Sequence, residues 1–188
     1  MGHRNDARTV LMYKEQFLRA ENRRMAAQTG GFIGWRAMSW FNDRFLRVTI
    51  GYGFRPGRAV IVAVLLVLAL GWFFERAWDA GDMTPNSAPI LVSQPWIAAT
   101  QSHPENPAAF WSDVGRAGQD WETFNGYAYA ADLVVPIVSL GQESAWAPST
   151  SRSDLGRAGW WMRWFAIAIG WIVTALGAGA ITGVIRKE

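Results

Sequence analysis

AVIVAVLLVLALGWFF (residues 59–74) and WFAIAIGWIVTALGAGAITGVI (residues 164–185) decide the fold, because neither run contains a charged residue. An α-helix rises about 1.5 Å per residue and the hydrocarbon core of a bilayer is roughly 30 Å thick, so about twenty residues span it. The second run has twenty-two residues and meets that length. The first has sixteen, and is extended by the uncharged Gly57 and by Arg58 and Arg76, whose apolar stems stay buried while their charged heads reach the headgroups. Both are read as spanning helices, residues 57–76 and residues 163–188, the latter ending in a short tail. A buried core helix of a soluble domain is the weaker alternative for the first run, and an uncleaved signal peptide is weaker still because 58 residues precede it. The mean hydropathy of +0.03 conceals these two clusters.

Twelve tryptophans among 188 residues point the same way. Indole rings favour the membrane interface, where the ring is buried and the N–H stays wet. Trp72 and Trp78 bracket the end of the first run and Trp160, Trp161 and Trp164 the start of the second, so these five are expected to form a belt on one side of the bilayer.

Charge sets the expected orientation. Eleven lysines and arginines against four acids precede the first run, whereas residues 75–163 carry five against ten; the tail adds Arg186 and Lys187. Positive residues are retained in the cytoplasm, which places both termini inside and the 89-residue loop outside. The chain has no cysteine, so disulfides, thiol chemistry and thiolate metal sites are excluded.

Two helices are expected ahead of the first span. Residues 6–28 read as a charged cytoplasmic helix with Val10, Tyr13, Phe17 and Ala20 on one side, within a segment covering residues 1–30. Residues 31–56 hold an amphipathic helix: Trp35, Met38, Phe41, Phe45 and Val48 recur at spacings of three and four, with Arg36, Arg44 and Arg47 between them. Directly before a span, such a helix is expected to lie in the inner interface, aromatic face toward the lipid tails and arginines toward anionic headgroups; packing on a neighbouring protein would use the same face. The loop, residues 77–162, opens with Pro85, Pro89, Pro95, Pro104 and Pro107 and is expected to be largely irregular there. Residues 126–146 differ, being apolar around Pro136 yet too short to span, and are expected to form a re-entrant or interfacial helix or to pack on the outer ends of the spans.

Small residues recur in the second span. Ala175, Gly179 and Gly183 form one line, and Gly170 and Thr174 begin another. Small residues let helix backbones approach closely in lipid, so this seam is expected to pack on the first span or on another subunit.

Motifs that would carry chemistry fail on context. Thr49-Ile50-Gly51-Tyr52-Gly53 resembles a potassium-channel filter, which must follow a pore helix from the outer side between two spans; here it precedes the first span, with Arg55 and Arg58 behind it. Asp132 and Glu143 could in principle serve acid–base chemistry, but with nothing beside them to complete a site they are expected to cap or to form salt bridges. His3 and His103 lie outside any metal-ligand spacing, and no phosphate-cradling loop, nucleophile elbow or dinucleotide fingerprint is present. No catalytic residue, metal or cofactor is therefore expected, and the basic N-terminal segment is ascribed to topology and anionic lipid rather than nucleic acid.

Three segments in order, ARTVLMYKEQFLR (residues 7–19), VTIGYGFRPGRAV (residues 48–60) and DLVVPIVSLGQESAWAP (residues 132–148), ahead of a final span ending in ITGVIRK, carry a resemblance. The chain resembles the two-span membrane module found at the C-terminus of various bacterial proteins, some with pentapeptide repeats and some described as channel-like. The resemblance implies a bacterial inner-membrane location and no particular activity. The reading is thus an all-α membrane protein whose partners are lipids and other membrane subunits or copies of itself. Its expected role is that of a non-catalytic subunit of an oligomer or larger complex. The alternative is a homo-oligomeric channel or pore.

Overall fold

The computed structural model describes residues 57–185, together with residues 10, 11, 13, 14, 17, 18, 20–22, 24 and 25. The latter group is helical, with Val10, Tyr13 and Phe17 exposed and Ala20 half-buried. The chain is predominantly helical, with two helices long and apolar enough to cross a membrane. They are α1 (Gly57–Asp79) and α7 (Asp154–Ile185), of 23 and 32 residues, or about 34 and 48 Å. Between them lie β1 (Met83–Pro85), α2 (Ala88–Leu91), α3 (Gln94–Ser102), α4 (Pro107–Trp111), α5 (Gly126–Val134), α6 (Gln142–Ala145) and β2 (Trp146–Pro148).

The chain divides into two compact units, residues 63–172 and residues 1–62 with 173–188. In the second of these, Ala59 is buried and a Cβ at Gly177 would come within 3.3 Å of its methyl group.

In the unit of residues 63–172, the proline-rich stretch is ordered into short helices, contrary to the irregular loop expected from its composition. The reason is positional. Pro89, Pro95 and Pro107 each fall in the first helical turn, where the missing N–H has no intrahelical partner to lose. The residues ahead act as caps: the side chain of Ser93 accepts from the Trp96 N–H, that of Asn106 from Ala109 and that of Asn125 from Ala128. β1 and β2 pair antiparallel with Met83 opposite Pro148 and Pro85 opposite Trp146, which ties the chain leaving α1 to the chain entering α7.

A core then forms around aromatic rings. Trp78 stacks on Phe124 with centroids 4.8 Å apart and meets Trp146 edge-on at 5.0 Å; Phe74 meets Tyr129 at 4.7 Å, and Trp111 bridges Trp96 and Trp121. The core includes Leu70, Phe74 and Ala77 of α1 and Ala166 of α7. The loop therefore folds against the helices that bound it.

Candidate membrane-facing and packing site

Away from this core, both long helices leave large apolar side chains uncovered. On α1 these are Ile61, Val64, Leu65, Leu68 and Trp72; on α7 they are Trp161, Trp164, Phe165, Trp171 and Ile172. On α1 they recur at intervals of three and four, and on α7 at three, four and seven, which places them on one continuous face of each helix. Burying such a side chain is worth about 2 kcal/mol, so leaving ten in water would forgo roughly 20 kcal/mol, more than the whole stability of a typical domain. Faces of this kind require lipid or protein against them.

Of the expected belt, Trp72, Trp161 and Trp164 are exposed, and the guanidinium of Arg76 lies 5.5 Å from the Trp72 ring. Trp160 is half-buried and makes edge contacts with Trp161 and Trp164. Trp78 is half-buried: α1 continues to Asp79, and the indole stacks on Phe124 and meets Trp146 edge-on, contacts the interface expectation did not foresee. Trp35, Arg36, Phe41, Arg44, Phe45 and Arg47 lie outside the described residues.

The small residues of α7 separate by face. A Cβ on Gly170 would lie 2.4 Å from the carbonyl oxygen of Val134, so this glycine admits the end of α5. Thr174 is half-buried, while Ala175 and Gly179 are exposed; Gly183 is helical, and its surroundings lie outside the described residues. Gly177, which the four-residue lines did not single out, approaches Ala59. The signal for it was present: Ala166, Gly170, Val173 and Gly177 follow the alternating four–three spacing of a packed helix face.

α5 and its return form a hairpin laid along the two long helices. Its start is fixed by the Gly126 N–H donating to Glu75 Oε1 at 2.7 Å, and Gly71 leaves room for the Tyr127 ring, which a Cβ there would strike at 2.3 Å. Its end rests on Gly170, six residues, or about 9 Å, beyond Trp164 where the charge-free run begins. The turn that follows carries Ile137, 85% exposed, with Leu140 also exposed.

Two carboxylates organise the return. Asp132 accepts from the backbone N–H groups of Leu140, Gln142 and Glu143, at 2.5, 2.8 and 3.1 Å. Glu143 forms an ion pair with Arg163 of α7. These are capping and ion-pairing roles, as expected of this pair. The Gln142 side chain joins the hairpin to the preceding loop by donating to Thr123 O at 2.8 Å and accepting from the Asn125 N–H at 3.0 Å. Beneath them the Tyr129 hydroxyl is buried without a partner among the described residues, and burial pushes its pKa well above the ordinary tyrosine value.

Comparison with family models, curated proteins and solved structures gives no match, so the functional argument rests on the chain's own residues.

Proposed function

We propose that this chain is a non-catalytic membrane subunit that crosses the bilayer twice and assembles through helix packing into an oligomer or larger membrane complex. The observation that carries the reading is the pair of uncovered apolar faces on α1 and α7, beside a loop that closes Trp96, Trp111, Tyr129 and Trp146 into a core. The arginine-rich N-terminal segment puts both termini in the cytoplasm and the folded loop outside. The resemblance noted above supports a location in the bacterial inner membrane. Within this topology the hairpin of α5 is a re-entrant element whose tip enters the outer half of the bilayer. The exposed line of Ala175 and Gly179 is the seam offered to another helix.

Because the chain has no cysteine, single introduced cysteines report the topology directly. In intact cells, a membrane-impermeant maleimide is expected to label Val114→Cys, 90% exposed on the loop, at least tenfold faster than Ile137→Cys. Equal labelling would place the hairpin tip in water and remove the re-entrant element.

Assembly is tested at the seam. Gly179→Leu holds neighbouring helices apart and is expected to reduce the native-gel species to a smaller one while the monomer remains folded. An unchanged oligomer shows that the seam faces lipid. Gentle purification separates the two readings that remain. Stoichiometric foreign subunits support the accessory role, whereas a homomeric ring that conducts ions in a planar bilayer establishes the channel, the reading that the re-entrant hairpin favours.

A further inference from the structure

The folded loop contains a cleft of about 510 Å³ that none of the packing described above uses. That volume is in the range of small-molecule sites. Its walls include Trp96, Leu91, Pro104 and Pro148, and Arg152 is its one charged lining residue.

The arrangement of Arg152 determines what the cleft can hold. Nη1 is committed, donating to the carbonyl oxygens of Gly81 and Met83, and the guanidinium carbon lies 5.4 Å from the Trp96 ring. Nε and Nη2 have no hydrogen-bond partner among the described residues and retain contact with solvent. No carboxylate among those residues forms an ion pair with Arg152. Asp82, the acid that acts on it electrostatically, is itself buried. One of its oxygens accepts from Ser153 Oγ at 2.6 Å and the other points toward Gly156 at the start of α7. What remains is one edge of a partly desolvated guanidinium, Nε–H beside Nη2–H, on a residue that lines a space walled by Leu91, Trp96 and three prolines together with the hydroxyl residues Thr84, Thr100, Ser149, Thr150 and Ser151. Two parallel N–H donors match the two oxygens of a carboxylate.

Depth identifies the source of the ligand. Arg152 lies just before α7, whose first ten residues carry it about 15 Å before the charge-free run begins at Trp164. On the topology proposed above, on which this step rests, the cleft lies beyond the lipid headgroups, in the aqueous phase.

We propose that this cleft binds a small, water-soluble organic carboxylate. The carboxylate is held by the free edge of Arg152, and the apolar body lies against Leu91, Pro104 and Pro148.

Isothermal titration of the full-length protein in a mild detergent, in carboxylate-free buffer, tests this with sodium hexanoate as the probe. Saturable binding is expected in the wild type, weakened at least tenfold in Arg152→Gln and at least tenfold in Leu91→Trp, which fills the cleft from its half-exposed rim and leaves Arg152 in place. Thermal unfolding checks that each variant is folded. Should Arg152→Gln fail to fold, having lost its bonds to Gly81 and Met83, Leu91→Trp decides alone. Hexanol is expected not to compete. Binding unchanged in the folded variants, equal competition by hexanol, or displacement of hexanoate by equimolar inorganic phosphate would each overturn the proposal.

Discussion

Trp146→Ala is expected to lower the stability of the folded loop by about 4 kcal/mol, the usual range for removing a large buried aromatic side chain. Trp146 is fully buried, lies edge-on to Trp78 and Phe124, and donates its indole N–H to the carbonyl oxygen of Glu122 at 2.8 Å. The substitution empties the centre of the aromatic core, leaves that carbonyl unpaired, and removes the β2 side chain at the position opposite Pro85. Thermal unfolding in detergent, followed by near-ultraviolet circular dichroism, is expected to show the midpoint falling by more than 10 °C. Trp161→Ala is the control, because that ring is 70% exposed and contributes nothing to this core. Equal effects of the two substitutions would show that Trp146 does not organise the loop.

Asp132→Ala is the second large effect and has a different origin. It creates no sizeable cavity, but three backbone N–H groups lose their acceptor, two of them partly buried. At about 1 kcal/mol or more for each, the loss is about 3 kcal/mol, and Asn, which keeps one acceptor oxygen, is expected to lose roughly half of that. The effect is local. Hydrogen exchange at residues 140–143 is expected to accelerate strongly while exchange in α3 and α4 stays unchanged. Exchange that accelerates uniformly instead would mean that the carboxylate supports the whole core rather than the hairpin.

How far each feature could be read in the sequence depended on how local its cause is. The two long helices were legible because an uncharged run is visible without knowing what touches it. Asp132 and Glu143 make the capping and ion-pairing contacts expected of them, contacts within or close to one hairpin that a carboxylate flanking an apolar segment readily forms. The aromatic core was not legible. Its contacts join residues far apart, such as Trp78 with Trp146 and the Trp121 indole N–H with the carbonyl of Ala145. A tryptophan beside an apolar run reads the same whether it meets lipid or Phe124. That ambiguity hid the contacts of Trp78 with Phe124 and Trp146. The prolines misled for a related reason, because Pro marks a loop and the first turn of a helix equally. The discriminating signal was the capping residue shortly before it, Ser93 ahead of Pro95 and Asn106 ahead of Pro107. Gly170 was legible as a packing position, but its partner Val134 was not, and Gly71 became informative only once its neighbour Tyr127 was known.

Leu70, Phe74 and Ala77 on one side and Ala166 on the other belong to the same core as the residues between them. That sharing fixes the order of events during biogenesis. While the ribosome is still making the chain, the loop has only half of its scaffold, and the strand after α1 has no partner until residues 146–148 arrive. Folding of residues between the two long helices must wait for the second of them, so a nascent chain stalled before residue 166 is expected to present an unfinished, tryptophan-rich surface.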